Sequence, residues 1–301
     1  MANLWTRGGL SWRELVLRTW QESWEDAVFG QAARLAFYHF IAIFPSLLLL
    51  SFALVRFPAA ASALRTTLST ALSGILPHEA DSLMQMMIEK LNATANTGVG
   101  LFSASLGALW ATVNGTWAVM AGLNMAYEVK ERRPLWKVLA IAFALTVSIA
   151  VMFLIALGAL FYATSAAPHM LQRAAAGASL PLLVRSIEWV MLAVLLLLSF
   201  AFFYRFGPNL YDRQWQWSTP GAVVALILWM LASELVRLYF ERFHTYHVVY
   251  GPLEGVAMLL LWLYFTSAAI LIGGEMNSEI EKATERNSAP QKAVAHDREG
   301  S

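Results

Sequence analysis

Residues 251–282, GPLEGVAMLLLWLYFTSAAILIGGEMNSEIEK, decide the fold. A turn pair, Gly251 and Pro252, and one acid, Glu254, open the stretch, and no charge follows until Glu275. An α-helix rises about 1.5 Å per residue, so some 20 apolar residues cross a hydrocarbon core of roughly 30 Å. The charge-free run has that length. Trp262 and Tyr264 lie within it, and Glu275, Asn277, Glu279, Glu281 and Lys282 form an abrupt polar exit. The pattern predicts a membrane-spanning helix.

Working outward, the same pattern recurs. The expected fold is an all-α integral membrane protein with six transmembrane helices, at about 35–55, 99–125, 138–163, 182–204, 220–240 and 253–274. Before them, 1–30 forms a cytoplasmic amphipathic segment, with Ser11 and Glu14 at capping-box spacing. Its Trp12, Trp20 and Trp24 suit either a headgroup layer or packing beneath the bundle. Residues 31–282 make the membrane domain, and the polar tail 283–301 reads as disordered. Between the first two spans, 58–97 reads as helices on the extracytoplasmic face.

Composition agrees. Of 301 residues, 58% are hydrophobic and 14% charged, against about 25% charged in soluble domains. Net charge is +1, which gives no basic field for nucleic acid. With no cysteine, disulfides, thiolate metal sites and cysteine nucleophiles are excluded. Lys and Arg concentrate in the N-terminal segment, the 130–137 loop and the tail, which predicts cytoplasmic N and C termini.

Three stretches carry a resemblance: QAARLAFYHFIAIFPSLLLL at 31–50, the 110–137 segment with Leu123, Asn124, Tyr127, Glu128, Arg133 and Pro134, and the YG…LLLWLY…GGEMNSEI pattern at 250–280. Together they are similar to the YihY/BrkB family of bacterial inner-membrane proteins, once labelled ribonuclease BN-like. The resemblance implies a six-helix protein of the bacterial inner membrane, and its motifs fall here on Pro45, Gly251, Trp262, Gly274, Glu275 and Asn277. It implies little chemistry. The family's ribonuclease label is not carried over, because the six histidines form no metal-ligand cluster in the sequence. The expectation is no enzyme, no cofactor and no metal.

Charged or amide residues inside spans are functional candidates, because inserting them costs several kcal/mol unless they are paired. Glu188, Glu234, Arg237 and Glu254 gather toward one end of spans four to six and would line a substrate path. Asn114 and Asn124 lie in a helix with a small-residue stripe, Ser103, Gly107, Ala111 and Gly115. Against this stand a self-satisfied Glu234–Arg237 pair, ordinary interfacial acids and amides bonded to neighbouring helices. The leading expectation is a transporter or lipid- and envelope-handling protein of unknown substrate, with membrane lipids and a small solute or lipid as partners. A non-transporting scaffold for envelope assembly or resistance is the alternative, and ribonuclease ranks third. Self-association into a homo-oligomer is left open.

Overall fold

The computed structural model describes residues 8–56, 98–165, 180–210, 219–242 and 252–299. All described secondary structure is helical. The helices are α1 (Trp12–Glu25), α2 (Val28–Arg56), α3 (Gly98–Ala126), α4 (Leu135–Ser165), α5 (Leu180–Phe206), α6 (Pro220–Arg242) and α7 (Pro252–Glu299). Residues 58–97, expected as extracytoplasmic helices, and Gly251 lie outside the described residues.

Three described stretches are long and apolar enough to cross a membrane: Leu135–Met152 in α4, Pro220–Tyr239 in α6 and Gly255–Asn287 in α7. Within α2 and α5 the described side chains give the apolar stretches Val28–Ile43 and Val190–Phe206. In α3 the glycines, hydroxyls and amides that favour close packing also dilute its hydropathy.

The core gathers on α7, the helix of the opening stretch. Val28, Ala32 and Leu35 of α2, Val119 and Leu123 of α3, Phe200 and Tyr204 of α5, and Ala222 and Ala225 of α6 pack with Ala268, Ile270 and Leu271 of α7. On the far side of α3, Met120 meets Val138, Ala142 and Leu145 of α4, and Thr116 and Thr146 hydroxyls bond across that seam at 2.7 Å. The opposite face of α4 exposes Phe143, Val147, Val151 and Leu154, and α6 exposes Ile227, Met230, Leu231 and Leu235. Without a membrane such surfaces would exceed the apolar patch a soluble monomer tolerates. With one they are the lipid face.

The N-terminal segment forms its helix as the cap predicts: Ser11 Oγ accepts from Glu14 N at 3.2 Å. It packs Leu15 on Met276 and Ile280 of α7. Thr19 and Ser23 are buried too, and both hydroxyls donate back into their own helix, to the Leu15 and Thr19 carbonyls. Trp12, Val16, Trp20 and Trp24 face outward. Packing on the bundle thus takes one face of α1, and the tryptophan face is left exposed. Ala27, in the left-handed region at φ 49°, turns the chain from α1 into α2.

The described α7 runs on past 283 to Glu299. The charged composition that suggested disorder is also rich in Ala, Glu, Lys, Gln and Arg, all good helix formers, and it extends a helix already nucleated in the core.

Candidate functional site at the polar end of α7

Gly273 and Gly274 let three helices converge on α7. A methyl group at Gly273 would meet Ala225 Cβ of α6 at 2.9 Å, and one at Gly274 would meet Leu123 Cδ2 of α3 at 2.7 Å. From α5, the buried Tyr204 hydroxyl donates to the Ile270 carbonyl at 2.7 Å. Four helices are thereby pressed together one residue before Glu275. Two residues beyond Glu275, Asn277 holds the start of α6. Its Oδ1 accepts from Gly221 N at 2.9 Å and its Nδ2 donates to Thr219 Oγ1 at 2.9 Å.

This scaffold fixes a cluster of acids from three elements. Glu275 is 1% exposed, and neither of its carboxylate oxygens meets a donor among the described residues. Asp26, at the end of α1, brings its carboxyl within hydrogen-bonding reach of Glu275, and Asp26 Oδ2 likewise meets no donor. Lys282 supplies the cluster's cation. Its Nζ lies 2.7 Å from Glu128 Oε1, 2.9 Å from Glu279 Oε1 and 4.0 Å from Glu22 Oε1. Glu128 reaches it from the end of α3, where its backbone takes the left-handed position (φ 51°) that more often holds glycine.

The charge balance shows in the acids of α1. Burial pushes the Glu22 carboxyl above the usual range against the pull of Lys282, and Glu279, Glu128 and Glu25 add to the rise. Burial does the same to Asp26, and repulsion from Glu128 reinforces it. One lysine does not neutralise so many acids, and among the described residues no three of these side chains are placed to hold a metal ion. The arrangement is suited to holding protons in a partly dry site.

A second polar assembly sits between α3, α4 and α5. Glu131 is clamped by Arg133, whose Nη2 and Nε donate at 2.6 and 2.8 Å, and by Asn124 Nδ2 at 3.0 Å. Asn124 Oδ1 accepts from Asn209 N at 2.7 Å, and Arg133 Nη2 also donates to the Gly207 carbonyl at 3.0 Å. These bonds, Arg133 first, hold the Glu131 carboxyl down at about 2.

The other sequence candidates are placed as follows among the described residues. Glu234 pairs with Arg237, whose Nε donates to Oε2 at 3.0 Å, and the two side chains are 52% and 40% exposed on α6. Glu188 and Glu254 belong to α5 and the first turn of α7, and their side chains lie outside those described. Asn114 Nδ2 donates at 2.7 Å to the Trp110 carbonyl one turn earlier in its own helix. Asn124 serves the loop clamp. Pro45 lies within the continuous α2, and Trp262 Nε1 donates to Ser233 Oγ of α6 at 3.0 Å. Of the motif residues, Gly274, Glu275 and Asn277 come together in one place. Asp26, Glu22 and Glu131 were not among the sequence candidates. Glu131 and Arg133 at i, i+2 were a local hint, whereas nothing local couples Asp26 to Glu275.

Known proteins place the chain. It is 26% identical over 253 residues to a ribonuclease-like protein, YfkH, of Bacillus subtilis, covering 84% of this chain and 90% of that one. A UPF0761 membrane protein of Psychromonas ingrahamii is 23% identical over 272 residues, 89% of this chain and 88% of its own length. Another, from Rhodospirillum centenum, is 27% identical over 266 residues, 85% of this chain but 55% of the longer relative. No solved structure matches. The family model described as Virulence factor BrkB matches residues 19–297, and the chain belongs to that family of membrane proteins.

Proposed function

We propose that the chain is a multi-pass protein of the bacterial inner membrane that moves or handles a lipid or small solute, with its working site at the polar end of α7. The observation that carries this reading is Glu275: a carboxyl buried at the polar end of α7 in a membrane protein, with no donor to either oxygen among the described residues. A protein that only needed to pack would lose nothing by replacing it with an apolar residue of similar volume. Six spans with both termini cytoplasmic accord with the Lys and Arg distribution and would put this site on the cytoplasmic side. Glu234 and Arg237, exposed and paired, fit an interfacial structural role at the opposite end.

The ribonuclease-like name stays with YfkH, and the reading for this chain is non-enzymatic. The test is full-length protein in phosphatidylethanolamine–phosphatidylglycerol vesicles, with a dithionite-quenched fluorescent phospholipid and a lumenal pH dye as readouts. Exchange or proton flux above protein-free vesicles, lowered by Glu275→Ala, is the expected result. If neither readout exceeds protein-free vesicles while the protein is folded, the scaffold reading takes its place. RNA cleavage by purified protein that Glu275→Ala abolishes would overturn both.

A further inference from the structure

We infer that Asp26 and Glu275 form a carboxyl pair that binds one proton between the α1–α2 corner and α7, and that loss of this proton parts α1 from α7. The inference rests on the proposed site for its location only. Its tests read protonation and helix separation, so it fails independently of transport.

Two ionised carboxylates are both acceptors and cannot bond to one another. Asp26 and Glu275 nevertheless lie within hydrogen-bonding reach, Glu275 wholly buried, and no donor among the described residues meets either Glu275 oxygen or Asp26 Oδ2. A proton carried by one carboxyl turns the contact into a hydrogen bond, and a second negative charge turns it into a repulsion.

The neighbouring donors are committed elsewhere. Lys282 is engaged by Glu128 and Glu279 and lies near Glu22. The Asn277 amide is used on Thr219, and the Thr19 and Ser23 hydroxyls, which face α7 from α1, are turned into their own helix. The remaining charged groups around the pair are Glu22 and Glu25 on α1 and Glu128 at the end of α3, all acids that favour the protonated pair. Among the described residues Lys282 opposes them.

The pair also sits where a small force has leverage. Asp26 caps α1, its backbone N–H donating to the Glu22 carbonyl at 2.8 Å, and the next residue is the left-handed Ala27 that sets the corner. Beyond this corner α1 is held to α7 by the cluster of Leu15, Met276 and Ile280, and the residues before α1 by the Asn287 Nδ2 bond to the Gly8 carbonyl at 2.6 Å. Charge repulsion at Asp26 acts on the hinge end of this helix, away from the end that Asn287 fastens.

The experiment uses full-length protein in lipid nanodiscs. Infrared spectra at neutral pH are expected to show a protonated-carboxyl stretch that vanishes on raising the pH. Glu275→Gln and Asp26→Asn should each remove or displace that band, and Glu14→Gln, at an exposed acid paired with Arg18, should leave it in place. Because the chain has no cysteine, spin labels at Gln21→Cys and Arg286→Cys report α1 against α7 cleanly. Their separation should grow as the band is lost, and Glu275→Gln should hold it constant across the same range. No neutral-pH band, a band indifferent to both amide variants, or a separation unchanged while the wild-type band disappears would each overturn the inference. The wild-type titration decides even if a variant fails to fold.

Discussion

The side-chain amide of Asn277 donates to Thr219 Oγ1 at 2.9 Å, and through it α7 caps α6. Pro220 opens α6 with no N–H to satisfy. Of the next free donors, Gly221 N is taken by Asn277 Oδ1 and Ala222 N by Thr219 Oγ1 at 3.1 Å. Two residues from different helices thus complete one buried helix terminus. Asn277→Ala leaves Gly221 N–H and the Thr219 hydroxyl short of partners, and should lower stability by about 1–3 kcal/mol. A midpoint shift in detergent denaturation of wild type against variant measures this, and an unchanged midpoint would contradict the capping role.

Gly221 and Gly273 face each other so closely that a Cβ on either would strike the other's carbonyl oxygen, and on Gly221 also Asn277 Cγ at 2.6 Å. Backbone cannot yield as a long side chain can. Gly221→Ala and Gly273→Ala should each cost at least the roughly 1–3 kcal/mol of an overpacked core, and separate α6 from α7. Gly30 is the internal control, because a Cβ there meets nothing within 4 Å. Gly30→Ala should be neutral or gain up to about 1 kcal/mol of helix propensity. Thermal aggregation curves of the three variants in one detergent give the comparison.

How much of this was legible in the sequence depends on distance along the chain. The charge-free run from Gly255 and the Ser11 cap are local patterns, and each appears as the helix or cap expected of it. Glu234 and Arg237 were equally legible as a pair, and periodicity brings them together without saying what surrounds them. The α1–α7 contact was out of reach. Asp26 and Glu275 belong to opposite ends of the chain, and an acid at a helix end and another at a helix exit each have a sufficient local explanation. The polar tail is a different case: composition speaks to whether a segment folds alone, and here the helix of α7 runs on into it.

Glu131 provides the pH test. Its carboxyl is held at about 2, below its ordinary 4.5, chiefly by Arg133. A depressed carboxyl contributes stability fully present above 4.5, which is lost as pH falls through that window toward about 2. At neutral pH the loop from Tyr127 to Leu135 should therefore resist trypsin at Lys130 and Arg132, and should become cleavable there in Glu131→Gln. An acid-tolerant protease should find the wild-type loop opening only within the acidic window. Equal cleavage of wild type and variant at neutral pH would show that the clamp does not order the loop.

The outward face of α1 makes the last prediction. Trp20 and Trp24 are 54% and 60% exposed, yet they cluster, with centroids 5.9 Å apart, and Trp24 lies 4.9 Å from the Phe29 ring of α2. An apolar aromatic face beside membrane spans, on a helix whose other face is bound to α7, suits the headgroup layer, where indole rings find both apolar and polar surroundings. The same helix carries Arg13 and Arg18, which suit an anionic surface. In nanodiscs, lipids brominated near the headgroup should quench a fraction of the fluorescence that Trp20→Ser with Trp24→Ser removes, and lipids brominated at the chain end should not. Detergent stability of that double variant should stay near wild type, because neither ring belongs to the Leu15 contact with α7. Quenching equal in wild type and double variant would place the face in water. If the proton pair works as inferred, that quenching also changes with pH in wild type and not in Glu275→Gln, which joins the anchor and the latch in one measurement.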